Sequence, residues 1–356
     1  MPSPSIFLSA YIKELKLDKC MNVDKADRSF IQNIDQARHK AIQCIESSQP
    51  IYVETLEKID IYLQQLASYL SFTEALNTRK DQKEFDKTFS KIPQFSHQSI
   101  VNQNKSEFHK SVLDEYFFHF YYLATAIDSQ LFSFNQDILK TGLARLDYIR
   151  IISHKIVAEE KSGIELRTEF LDVLEYLLNA LLLLSGALKA EQANATAYGE
   201  PKFNYKSLAG IYGYALQEAE KSHLVLTKLT QKEKKISKDL QKFVCGIKNL
   251  CEIGMLTLMI LEYEVFQCNY RESQQQSLNI RNRLAECVQE LYQIQFSNTK
   301  ILDFFTVNFG HKLQEGVSNQ QIGTQGNIVR FPLFGSIKRG SEFMPFEPLW
   351  TDLRIK

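Results

Sequence analysis

Between Leu174 and Ala190 the chain reads LEYLLNALLLLSGALKA, the most apolar stretch of its 356 residues. The run admits three readings: a membrane span, a buried helix, or a surface for a partner. A span needs about 20 apolar residues. Asp172 and Glu175 precede the run, Asn179 interrupts it and Lys189 closes it, leaving only Tyr176 to Leu188. No integral membrane association is expected. A segment too short to span and apolar around most of its circumference is a helix packed on several sides inside a multilayer helical body.

The rest of the chain has the same helical character. In IYVETLEKIDIYLQQLASYLSF, residues 51–72, Leu56, Ile59, Tyr62, Leu63, Leu66, Tyr69 and Leu70 recur at steps of three and four, with Glu57, Lys58, Gln64 and Gln65 opposite. Residues 280–296 repeat the pattern through Leu284, Cys287, Val288, Leu291 and Ile294. Helices are also expected over 26–48, 109–132, 136–160, 166–192, 205–230 and 235–270, with Gly246 and Gly254 marking a bend or close packing in the last. No segment shows sustained period-two alternation, so strands are at most a minor ornament. The expected class is all-α.

Residues 73–108 read as a long excursion, 193–204 as a break and 231–239, QKEKKISKD, as a charged turn or solvated helix face. Six glycines and three prolines between Gly310 and Pro348 preclude a long helix there, yet VRFPLF and FMPFEPLW carry aromatics that a free tail would not need. The division expected is 1–305 as the helical domain and 306–356 as an extended C-terminal segment wrapping it. The small and aromatic spacing of Ala209, Tyr212, Ala215, Leu216 and Ala219 is that of tetratricopeptide-like hairpins, without a strict repeat.

The sequence holds few features that carry chemistry. Lys plus Arg and Asp plus Glu both number 42, so no charge excess draws the chain to nucleic acid. The block EYFFHFYY, Glu115 to Tyr122, lacks the interleaved basic residues of a base-stacking platform and reads as a buried helix. A di-iron bundle needs two Glu-x-x-His motifs and two further carboxylates, and only one such motif is present, Glu220 to His223. Phosphate-loop, dinucleotide-loop, zinc-protease and serine-hydrolase motifs are absent. Six scattered cysteines, none in a C-x-x-C pair, suit reduced thiols in helix cores and a cytoplasmic location. The start has no basic region ahead of its short apolar patch, as a secreted chain would. No enzyme activity, metal or cofactor is expected.

The order of these segments resembles the Bro domain, the curved helical module of ESCRT-associated proteins. FLSAYIKELK, then NIDQARHKAI, then YVETLEKIDIYLQQLASYL are similar to that family's opening and early amphipathic helix. After the excursion, FSHQSI and SVLDEYFFHFYYLATAIDSQL are similar to its aromatic-rich hairpin and the helix that follows; Glu115, Ala124 and Ser129-Gln130 match, while the family's Phe-Asn pair does not. DILKTGLARLDYIRIIS fits the next helix. FLDVLEYLLNALLLLSGALKA fits the one after, matching at Leu188-Lys189-Ala190 but lacking the family's Ala-Gln-Ala-Gln-Glu core.

The resemblance implies an elongated, curved, irregular solenoid with minor strands near the N-terminus, and adaptor work: an apolar patch accepts the amphipathic helix of an ESCRT-III subunit. By the Leu-Lys-Ala register the family's apolar contacts fall on Leu177 and Leu181, one helical turn apart, expected as an exposed protein-binding ridge on a mostly buried helix. The chain would then be cytoplasmic or endosome-associated. Against this stands a structural scaffold subunit of a large cytoskeletal or ciliary assembly, which the missing Phe-Asn and Ala-Gln-Ala-Gln-Glu elements favour. In that reading the two leucines are core.

Overall fold

The structure, a computed structural model, describes residues 6–7, 12, 25–47, 52–78, 95–99, 101, 106–109, 117–131, 134–157, 164–196, 203–233, 236–265, 271–294, 301, 303–306 and 310. Its helices are α1 (Lys25–Ile45), α2 (Tyr52–Thr78), α3 (Phe118–Ser129), α4 (Gln136–Val157), α5 (Thr168–Ala195), α6 (Tyr205–Lys232), α7 (Lys238–Val265) and α8 (Arg271–Gln293). A 3-10 turn, Ile164–Leu166, precedes α5. Among the described residues the fold is all-α apart from one short hairpin, β1 (Phe95–Gln98) and β2 (Ser106–His109), paired antiparallel with Phe95 opposite His109.

That hairpin falls inside the expected excursion, and His109 is strand where the sequence suggests the start of a helix. Four-residue strands are too short to display period two, and α2 itself runs on to Thr78. The extended C-terminal segment expected over 306–356 lies outside the described residues except Thr306 and Gly310.

The chain forms two compact units. One includes Met1–Ser129 and Asp147–Arg167; the other includes Gln130–Leu146 and the helices from Thr168 onward. Helix α4 thus contributes its first half to the second unit and its second half to the first. In the first unit α2 packs between α1 and α3. The aromatic block is interior: Phe118, Phe120, Tyr121 and Tyr122 are all buried. Tyr62 of α2 meets Phe118 edge-on at 4.7 Å, and the Arg38 guanidinium of α1 lies 6.0 Å from the same ring. Asp128 accepts the Ile6 backbone N–H at 2.8 Å, and Ser99 donates to the buried Glu165.

In the second unit α5 to α8 pack in sequence, each chiefly on its chain neighbours. Paired positions run in opposite senses. The Ser222 hydroxyl donates to the Val173 carbonyl at 3.0 Å, Lys221 lies over Tyr176, and Asn179 donates to Glu218. As numbers rise along α5 they fall along α6, so the two are antiparallel, as a short connection requires.

The connections carry the expected signals. Asn204 caps α6 by accepting from the Ser207 N–H at 2.7 Å. Asn194, within the glycosylation-like triplet Asn194-Ala195-Thr196, donates to the Phe203 carbonyl (2.8 Å) and accepts from the Phe203 N–H (2.9 Å). At Gly254 of α7 a Cβ would sit 2.3 Å from the buried Tyr212 ring of α6, so only glycine lets these helices approach this closely. Arg283 of α8 binds Glu252 of α7 through two nitrogens at 2.9 and 3.0 Å. The turn Asp303–Thr306 buries Phe304 and Phe305 on this unit, Phe304 meeting Phe134 at 5.4 Å.

Both α5 and α7 are long and apolar enough, by length and composition, to cross a membrane. Most of each is instead buried inside the protein, as in the core helices of a layered bundle.

Candidate protein-docking edge on helix α5

Helix α5 carries the residues singled out from the sequence, and the structure places them in its interior. Leu177 and Leu181 are both 0% exposed. The expected ridge of two exposed leucines is not what the structure shows: they are core. The physical reason lies in helical phase. With about 100° between successive residues, Asp172, Glu175, Tyr176, Asn179, Leu183, Gly186 and Ala190 share one stripe at steps of three and four, and Leu177 and Leu181 lie roughly opposite.

That stripe is the half-exposed edge of α5. Asp172, Glu175, Tyr176, Leu183, Gly186 and Ala190 all keep partial solvent exposure, while the flanking Leu174, Leu178, Ala180, Leu182, Leu184 and Leu188 are buried. Tyr176 and Leu183 supply the apolar surface of the edge, and Gly186 and Ala190 leave room for close approach of another backbone. On one side α6 borders the edge, its Lys221 ammonium 5.5 Å from the Tyr176 ring centroid. On the other, Gln136 at the start of α4 lies 3.7 Å from where a Cβ on Gly186 would sit. Asn135 fixes that start by accepting from the N–H groups of Asp137 and Ile138 at 3.0 and 3.3 Å.

A polar thread crosses the middle of the edge. Asn179 is 2% exposed, and its side-chain amide donates to Glu218 Oε2 at 3.4 Å. Its carbonyl oxygen is buried with no hydrogen-bond donor among the described residues. Glu218, itself 4% exposed, receives Lys221 Nζ at 2.6 Å. An ion pair so placed, with one member in the helix interface and the other 45% exposed, is open to exchange at its outer end.

Elsewhere the described residues offer little for catalysis. No group of three or more His, Cys, Asp or Glu among them is disposed to hold a metal ion. His223 is half-buried, and burial, then the Lys248 charge, push its pKa down. Burial pushes the Cys44, Cys245, Cys251 and Cys287 thiols above their ordinary value, which keeps them protonated and poor as nucleophiles. Cys20 and Cys268 lie outside the described residues.

The signal for the edge was present in the sequence. Asp172, Glu175, Asn179, Gly186 and Ala190 are the polar and small positions of an otherwise aliphatic helix, and they fall on one face. Lys221 and Glu218 carried no such signal, since their role depends on the antiparallel register between α5 and α6.

No family model matches the chain, and no curated protein sequence matches it. Solved structures do. The chain is similar to ALIX BRO1 in its complex with CHMP4C, with a TM-score of 0.58 and 11% identity over 94% of this chain and 96% of that one. It is similar to ALIX in complex with the SIVmac239 PYKEVTEDL late domain, with a TM-score of 0.60 and 11% identity over 97% of this chain; it spans about half of that one, 51%. A Bro1 domain whose structure addresses endosomal targeting matches with a TM-score of 0.53 and 11% identity over 89% of this chain and 85% of that one. Identity this low speaks to fold alone. Over nearly its whole length, this chain has the fold of the Bro1 domain.

Proposed function

We propose that the chain is a non-catalytic adaptor that docks the amphipathic helix of an ESCRT-III subunit along the half-exposed edge of α5, serving endosomal sorting or membrane remodelling from the cytoplasmic side. The observation that carries this reading is the edge itself: Tyr176 and Leu183 with Gly186 and Ala190, bordered by Lys221 of α6 and Gln136 of α4. An amphipathic helix lays its apolar face on such an edge with anchors at helical spacing. The fold lends support, because ALIX BRO1 is seen in complex with CHMP4C and another Bro1 structure concerns endosomal targeting. Docking belongs to the Tyr176–Leu183 stripe, since contact through Leu177 and Leu181 would require α5 to leave its neighbours.

The second reading is a structural subunit of a large cytoskeletal or ciliary assembly. The complete burial of Leu177 and Leu181 favours it, because a scaffold does not have to keep the family's apolar contacts exposed. Titration of a labelled ESCRT-III C-terminal helix peptide into wild type and Leu183→Asp separates the two. The adaptor reading expects binding that the substitution removes; absence of binding to wild type leaves the scaffold reading.

A further inference from the structure

The polar thread on the α5 edge has a composition that an apolar docking surface does not require. Two acceptors, the Glu218 carboxylate and the Asn179 carbonyl oxygen, are buried side by side, joined through the Asn179 amide at 3.4 Å. A buried carboxylate demands a cation, and a buried carbonyl without a donor is costly. Lys221 reaches Glu218 at 2.6 Å, and among the described residues the Asn179 carbonyl is left unsatisfied. Lys221 comes from the same helix, three residues on, and stays 45% exposed while its ammonium lies 5.5 Å from the Tyr176 ring. It meets Glu218 with its side chain partly in solvent, over the aromatic residue of the docking edge.

Resting on the docking reading above, we infer that Glu218, Asn179 and Tyr176 form a cation subsite, and that the docked helix places a lysine or arginine there in exchange for Lys221. The Tyr176 face offers a cation–π contact, Glu218 the countercharge, and the Asn179 carbonyl the acceptor that Lys221 leaves unused. Partner selection then follows from charge as well as from apolar spacing. An amphipathic helix whose apolar face is interrupted by one basic residue binds in preference to one that is apolar throughout.

The test uses the full chain and two synthetic amphipathic peptides, identical except for one central lysine or norleucine on the apolar face, titrated by fluorescence anisotropy. Wild type is expected to bind the lysine peptide about tenfold more tightly, the worth of one hydrogen bond to a charged group. Lys221→Met removes the competing cation and widens that preference. Glu218→Gln, if folded, brings the lysine peptide down to the norleucine peptide without weakening the latter. Should Glu218→Gln fail to fold, Lys221→Met decides the matter alone. Equal affinities in wild type, or an unchanged ratio in Lys221→Met, overturn the cation subsite while leaving the docking edge in place. Binding of neither peptide overturns the docking reading and the subsite together.

Discussion

Leu183 and Leu181 are two residues apart in sequence and opposite in consequence. Leu183 keeps a partly exposed side chain, whereas Leu181 and Leu177 are sealed in the bundle. A carboxylate introduced at either sealed position is buried without a countercharge, at several kcal/mol. Circular dichroism of Leu177→Asp and Leu181→Asp is therefore expected to show loss of cooperative helical folding, and Leu183→Asp to melt like wild type. A folded Leu181→Asp would contradict the assignment of that leucine to the core. Gly254 sets the same kind of limit on volume. Its methylated form collides with Tyr212, which is fully buried and cannot swing away, so Gly254→Ala is expected to lose about 1–3 kcal/mol in urea unfolding. His223 gives a pH dependence. Its folded pKa lies below the ordinary 6.5, so the unfolded chain binds protons more readily and stability present above pH 6.5 is lost as pH falls toward the folded value. His223→Gln should flatten the fall in urea midpoint between neutral and acid pH, and an unchanged slope would remove His223 as its source.

The elements were largely legible, because each long helix announces itself through spacing. The spacing predicts α6 over 205–230, and the helix runs from Tyr205 to Lys232; it predicts α7 over 235–270, and the helix runs from Lys238 to Val265. Gly246 and Gly254 suggest a bend or close packing in α7, and close packing is found at Gly254. What spacing could not convey was the phase of a nearly all-apolar helix. In α5 four consecutive leucines, 181 to 184, cover the whole circumference, and only the polar and small residues mark its outer edge. The hairpin at 95–109 was hidden for another reason, its strands being too short for a pattern. The start of α6 depends on Asn204, whose side chain satisfies the Ser207 N–H. Asn204→Ala should cost about 1 kcal/mol of thermal or urea stability, and no change would mean that the α6 start is held by Asn194 and Phe203 instead.

For the whole molecule, likeness of fold and likeness of site are separate matters. At 11% identity the chain keeps the Bro1 fold over 94% of its length, as expected when helical spacing and antiparallel packing are retained while individual contacts drift. The site does not follow automatically, and here the leucines placed by register turned inward while the neighbouring stripe kept its exposure. A docking function therefore stands or falls on that stripe. The most direct measurement is the affinity of a labelled ESCRT-III C-terminal helix peptide for wild type, Leu183→Asp and Tyr292→Asp, the last an exposed tyrosine of α8. The account predicts binding to wild type, loss of at least about tenfold in Leu183→Asp at unchanged melting temperature, and retention in Tyr292→Asp. Undiminished binding to Leu183→Asp would contradict the placement of the site on the α5 edge.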